Sequence, residues 1–198
     1  AVMYGLHGWP QAPSNSVSTR VGAVLASDIG VKITIAGTGG HAAFPHLGSD
    51  PILCAANVIT SMQQIVSRNT DPLDSLVVSL TQIHGGTTHN IIPSSVEITG
   101  TIRFLQDSTG EMAKMRVKEI AESIAIAHNC SAEVTLKHGY PVTRNDKHAV
   151  AQFFEIAEQV LPKEHVMEFP APVMGGEDFS YYCKEVPSCF FMLGLLPE

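Results

Sequence analysis

Val31-Lys32-Ile33-Thr34-Ile35-Ala36, then Gly37-Thr38-Gly39-Gly40, then Asp50-Pro51-Ile52-Leu53, is the stretch on which the fold turns. Strict alternation of apolar and polar residues over 31–36 predicts a half-buried strand. The glycines break it. Asp50 followed by Pro51 is an N-cap with proline at the first helical position, so a helix starts there. Ile52, Ala55, Ala56, Ile59, Met62 and Val66 are its expected buried face. Asn69, Asp71 and Pro72 end it.

Outward from that pair the pattern repeats in mirror order. Residues 76–83 read as a second strand, closed by Gly85-Gly86. A third has Val96, Ile98, Gly100, Ile102 and Phe104 on one face and Glu97, Thr99, Thr101 and Arg103 on the other. Ser108-Thr109-Gly110-Glu111 has the spacing of a capping box. The helix it would open carries Met112, Met115, Ile120, Ile124 and Ala127. A fourth strand turns Ala132, Val134 and Leu136 inward. The order β-α-β-β-α-β is ferredoxin-like, with two amphipathic helices covering one face of a four-stranded sheet.

The flanks read differently. Residues 1–10 are a strand and a turn, ending near His7. Asp146 can cap a helix bearing Val150, Phe153, Phe154, Ala157 and Val160, and 166–194 is rich in Gly and Pro. The expected organisation is an α/β chain in three pieces. Residues 1–27 and 139–198 are parts of one α/β domain, and 28–138 is an α+β domain inserted into it. The first residues start in mid-strand without a basic leader, and the last run is apolar, so the chain reads as part of a longer protein.

Composition excludes several classes. The chain has 198 residues and a formal net charge of -7, a poor match to a phosphate backbone, so nucleic acid is not expected as a partner. No apolar run approaches the roughly 20 residues of a membrane span. The cysteines, Cys54, Cys130, Cys183 and Cys189, form no CxxC pair, which suits buried thiols in a reducing, cytoplasmic setting.

Nine histidines are many for this length. His7, His41, His46, His84 and His89 stand beside Gly, Pro or Asn, where an imidazole can serve as ligand or acid/base group. His7 lacks an HxxxH or HExxH partner, so it either supplies one ligand to a site completed elsewhere or is structural. His41, in a glycine-rich loop, can reach a neighbouring site. Asn90 offers donor and acceptor for an amide or carboxylate, or else caps its turn. Arg103 suits bidentate carboxylate binding, or else pairs with Glu97 or Glu133. Gly175 and Gly176 can present N–H groups to a substrate, or else form a tight turn in which Asp178 caps a helix.

Taken in order, several segments resemble one family. They are Gly5-Leu6-His7, Gly40-His41-Ala42-Ala43, Pro45-His46, Asp50-Pro51-Ile52, Val66-Ser67-Arg68-Asn69 and Ile83-His84-Gly85-Gly86-Thr87. Asn90 with Ile92-Pro93, Gly100-Thr101-Ile102-Arg103 and Gly176-Glu177-Asp178-Phe179 complete the set. The set resembles the dinuclear-metal amidohydrolases of the aminoacylase/carboxypeptidase-like type, in the branch of N-acyl-amino-acid (hippurate-type) and auxin-conjugate hydrolases. The resemblance implies a zinc-peptidase-like catalytic domain with an inserted dimerisation lid. It implies two divalent metal ions (Zn, Mn or Co), an N-acyl amino acid substrate and a homodimer through the lid. His7 resembles a metal ligand, and His41 the lid histidine that reaches a partner's site and steadies the oxyanion. Asn90 and Arg103 resemble residues that hold the substrate's carbonyl and carboxylate, and Gly175 and Gly176 a pocket-lining loop. The family's other ligands and its general-base glutamate have no counterpart between residues 1 and 198. A non-catalytic dimerisation or small-molecule-binding module is therefore the alternative expectation.

Overall fold

A computed structural model describes residues 1–197. In chain order the elements are β1 (Met3–Pro13), β2 (Val17–Thr19), β3 (Gly22–Leu25), β4 (Ser27–Ala36), β5 (Gly40–His41), α1 (Pro51–Gln64), β6 (Leu76–Gly85) and β7 (Ile91–Ile92). They continue with β8 (Ser95–Phe104), α2 (Asp107–Ala127), β9 (Ser131–His138), β10 (Thr143–Asn145), α3 (Lys147–Val160), β11 (Val166–Glu168), α4 (Ser180–Glu185) and β12 (Ser188–Leu196). Two compact units result. The central unit is Ile29–Gly139, and the flanking unit joins Ala1–Asp28 to the chain from Tyr140 onward.

The central unit is the ferredoxin-like βαββαβ layer pair. Its sheet has the order β6-β8-β4-β9. The β6–β8 hairpin is antiparallel, with Leu76 opposite Phe104 and Gly85 opposite Val96. β4 and β9 are also antiparallel, with Ile29 opposite His138. Alternation along β4 buries Ile29, Val31, Ile33 and Ile35, in the sheet whose strands β8 and β9 meet α1 and α2. Along β8 it buries Val96, Ile98, Ile102 and Phe104. On the polar face Lys32 pairs with Glu97, a half-exposed ion pair of small net worth.

Both helices depart from expectation in detail. Asp50 does cap α1, accepting from the Ile52 and Leu53 N–H groups. The buried stripe, however, is Pro51, Cys54, Ala55, Val58 and Met62, while Ile52, Ala56 and Val66 are exposed. Residues 51–56 are apolar all round, so periodicity alone leaves the facing stripe undecided, and contact with the sheet and α2 selects it. The capping box at Ser108 does not form. α2 already starts at Asp107, after Gln106, which makes no side-chain cap. Thr109 Oγ1 instead donates to Asp74. Ala113, Val117, Ile120, Ala121 and Ala125 are buried, and Met115 is exposed.

In the flanking unit the sheet order is β1-β12-β2-β11. β1 and β12 run parallel with His7 opposite Met192. β1 does not end near His7 but continues through Pro10 to Pro13. Pro10 is tolerated because the β1–β12 ladder is irregular between Trp9 and Pro13. Asp146 caps α3 as expected, accepting from His148 and Ala149. α3 buries Ala149, Val150, Phe153 and Ala157 against Val17 and Cys189 but leaves Val160 exposed. A second cluster gathers Val24, Leu25, Phe169, Phe179, Phe190 and Met192.

The two chain segments of this unit are joined by a polar hub. Asn145 is buried. Its Nδ2 donates to Thr19 Oγ1, Arg20 O and Phe190 O, and its Oδ1 accepts from Phe190 N–H. Among the described residues no helix is long and apolar enough to cross a membrane.

Candidate functional site

The expected site residues fall into two sets, one in each unit. In the central unit the loop between β4 and α1 returns as β5 and pairs antiparallel with β7, placing His41 opposite Ile91 and Gly40 opposite Ile92. Ala42 N–H donates to Asn90 O, so His41 and Asn90 are brought together. Gly39 permits this turn. Its φ is +61, and a Cβ there would stand 2.5 Å from Ile92 O.

His41 is exposed, and its Nδ1 accepts from Ala43 N–H at 3.0 Å. A neutral ring so held carries its proton on Nε2, which makes the outward nitrogen a hydrogen-bond donor. Asn90 Oδ1 accepts from Thr88 Oγ1 at 3.2 Å. That bond turns the Asn90 NH₂ away from the Thr88 hydroxyl, as a second donor group. Alongside lies a cavity of about 540 Å³, lined by Asp50, Ile52, Thr87, Thr88 and His89 among others.

Arg103 is not part of this cluster. Gly37 N–H donates to Ser94 O, so the end of β4 and its loop meet the start of β8. Arg103 is near the other end of β8, opposite Val77. From Ser95 to Arg103 the strand covers about 26 Å. Arg103 therefore stands at the end of the sheet where β4 begins and β9 finishes. Of its two alternative partners, Glu97 and Glu133, Glu97 is engaged by Lys32.

In the flanking unit His7, Gly175 and Gly176 line one cavity of about 230 Å³ with Trp9, Leu25, Val173, Glu177 and Met192. Trp9 is held edge-on by Phe169. The Gly175 carbonyl accepts from Ala26 N–H, which pins the glycine loop. A Cβ on Gly176 would press on Asp28 Oδ1 at 3.0 Å. His7 Nδ1 lies 2.7 Å from Gly8 O. Donation to that carbonyl leaves the Nε2 lone pair bare, the form in which histidine ligates a metal.

Glu177 was not anticipated as a lining residue, although it directly follows the glycine pair. Burial, and then the hydrogen bond with Asp178, raise its carboxyl above the ordinary range. Asp178 does not cap α4, whose N-cap position is Phe179, without a side-chain bond. No three His, Cys, Asp or Glu residues converge among the described residues. The residues present therefore do not make a closed metal site, and His7 offers a single donor.

Residues 27–129 match the M20 peptidase dimerisation domain. The chain belongs to the M20 family. Over 200 residues it is 38% identical to "IAA-amino acid hydrolase ILR1-like 2" of Arabidopsis thaliana, covering 99% of this chain and 45% of that protein. Over 195 residues it is 41% identical to "N-acetyldiaminopimelate deacetylase" of Enterococcus faecalis, covering 97% of this chain and 50% of that one. Among solved structures it superposes on the Bacillus subtilis YXEP protein, described as a dinuclear metal binding peptidase from the M20 family. There the TM-score is 0.80 and the identity 26%, over 98% of this chain and 48% of that one. These relatives carry names of amide-cleaving enzymes, and the chain spans about half the length of the curated relatives it matches. The His41–Asn90 cluster and Arg103 lie in the M20 dimerisation domain, and His7 and the Gly175–Gly176 loop lie outside it.

Proposed function

We propose that this chain belongs to a metal-dependent amidohydrolase of N-acyl amino acids, acting as a cytoplasmic homodimer through residues 28–138. The observation that carries the reading is the His41–Asn90 cluster, two exposed side chains brought together by the β5–β7 pairing, His41 held by the Ala43 N–H and Asn90 by the Thr88 hydroxyl. An amide carbonyl gains negative charge as it goes tetrahedral, and a preorganised N–H donor at that oxygen lowers the barrier by about 3 kcal/mol. His41 Nε2–H is such a donor, and the Asn90 NH₂ is suited to hold the carbonyl before attack. Arg103 would grip the substrate carboxylate and so orient the scissile bond.

An extended N-acyl amino acid is about 7–10 Å long, much shorter than the strand between the two ends of β8. One substrate would thus meet His41 and Asn90 of one protomer and Arg103 of the other. Homodimerisation is then a condition of activity. Gly175, Gly176 and Glu177 would line the pocket. The two divalent ions (Zn, Mn or Co) require ligands beyond this chain, which supplies His7. The four free thiols suit a reducing compartment.

The test is hydrolysis of a panel of N-acyl amino acids by a polypeptide of the relatives' full length carrying this chain, supplied with zinc, manganese or cobalt. Turnover of at least one member, abolished by chelation, is expected. A stable dimer without turnover on any member or metal would favour a non-catalytic dimerisation module.

A further inference from the structure

The cysteines that look unrelated in sequence fall into two neighbouring pairs, and one pair is built for bond formation. Cys54 sits in the second turn of α1, with its N–H on Asp50 O and its side chain fully buried. Cys130 follows the end of α2. There Asn129 takes the left-handed conformation at φ 54, its N–H returns to Ile126 O, and Cys130 N–H returns to Ala125 O at 2.8 Å. This is a Schellman closure, which fixes the Cys130 backbone against the last helical turn. α1 packs against α2 in antiparallel register: Arg116 Nε donates to Asn69 Oδ1 beyond the end of α1, and Ser61 shares a groove with Ile120 and Ser123. That register sets Cys54, at the start of α1, beside Cys130, at the end of α2. Both cysteines are free thiols. Cys130 is half-buried, so one partner of the pair is open to a small oxidant.

We propose that Cys54 and Cys130 are a redox-modification site, closing to an intrachain disulfide when the protein meets a low-molecular-weight disulfide such as oxidised glutathione. The half-buried Cys130 reacts first. Its thiolate attacks one glutathione sulfur, the glutathione S–S bond breaks, and one glutathione leaves as thiol after taking up a proton. Cys54 Sγ then attacks Cys130 Sγ, loses its own proton, and expels the second glutathione as thiol. Two protein thiols are oxidised and one glutathione disulfide is reduced to two thiols. Burial, followed by the charge and hydrogen bond of Cys130, raises the Cys54 thiol to about 11, so at neutral pH Cys54 is the weaker nucleophile and Cys130 is the thiol that meets glutathione first.

The bond would tie the start of α1 to the cap of α2. Asp50 and Ile52, in the same stretch as Cys54, line the cavity beside Asn90, so oxidation fixes one wall of that cavity. The other pair is arranged differently. The Cys189 thiol is fully buried and lies 3.6 Å from Thr19 Oγ1. The proposal does not depend on the hydrolase reading.

The test is to titrate the chain with oxidised glutathione, alkylate, digest without reduction and map the peptides by mass spectrometry. A cross-linked peptide joining residues 54 and 130 is expected, reversed by dithiothreitol and absent in Cys130→Ser. Cross-linking across a loop of about 75 residues should raise Tm by on the order of 5 °C in the wild type and not in Cys130→Ser. Because position 130 is only half-buried, that variant keeps its fold, which circular dichroism checks. Glutathione retained on Cys130 with Cys54 still a free thiol would overturn the proposal. So would both thiols remaining unmodified over the whole titration.

Discussion

The central and flanking units reach a packed state by different means. The central unit is one continuous stretch whose four antiparallel strands and two helices meet through alternating side chains. The flanking unit joins two stretches separated by the whole central unit, and pairs β1 with β12 in parallel. At its junction it places Asn145, a buried side chain whose amide donates to Thr19, Arg20 and Phe190 and accepts from the Phe190 N–H, so that it ties both segments. The contrast teaches that a contiguous unit can rely on periodicity. A discontinuous one also uses a specific polar tie whose loss leaves several buried groups unpaired.

The largest effect expected from this contrast is in the central unit. Ile33 is fully buried on β4. Ile33→Ala should cost about 3–4 kcal/mol in urea unfolding, whereas Lys32→Ala, one residue away on the other face, should cost under about 1 kcal/mol. Similar costs for the two would break the claim that alternation holds this unit.

Next is the polar tie. Asn145→Ala strands the buried Phe190 N–H, while the Phe190 carbonyl keeps the Thr19 hydroxyl, and should cost about 2–3 kcal/mol. A neutral result would mean that the flanking unit, too, is held by apolar packing alone. Asp50→Ala removes a helix cap of the central unit and should cost about 1 kcal/mol, with amide exchange speeding first at Ile52 and Leu53.

The smallest effects are in the acid limb of stability, and they carry opposite signs within the flanking unit. The Ala149 N–H, then that of His148, hold the Asp146 carboxylate below its ordinary range. Its contribution is present at neutral pH and is lost as pH falls through that lowered value. Glu177 is raised by burial, so its contribution is present at acid pH and is lost as pH rises through the raised value. Asp146→Asn should flatten the loss of Tm on acidification. Glu177→Gln should raise Tm near neutral pH relative to the wild type. Reversed signs would contradict these environments.

The βαββαβ order was legible because each strand alternates and each helix has punctuation, Asp50-Pro51 being the clearest. Which stripe of α1 faces inward was not, because Ile52, Leu53, Cys54, Ala55 and Ala56 are all apolar and tertiary contact decides among them. The start of α2 was misread because a capping-box spacing at Ser108 overlaps a helix that has already begun. The run of β1 past Pro10 was hidden because proline signals a stop unless the ladder is irregular there, which only the pairing with β12 shows. The candidate residues were all in view as motifs. Their grouping was not: the β5–β7 pairing unites His41 with Asn90, the length of β8 sets Arg103 apart, and the fold adds Glu177 to the His7 cavity.

The separation of His41 from Arg103 is tested most directly by mixing two variants of the full-length dimer. His41→Ala and Arg103→Ala should each lower kcat/KM at least about tenfold as homodimers. Co-refolded in equal amounts, they should recover about a quarter of wild-type activity. Half the dimers are then mixed, and each mixed dimer holds one site with both residues intact. No recovery in dimers shown to have exchanged subunits would contradict the account, placing His41 and Arg103 of the same chain on the same substrate.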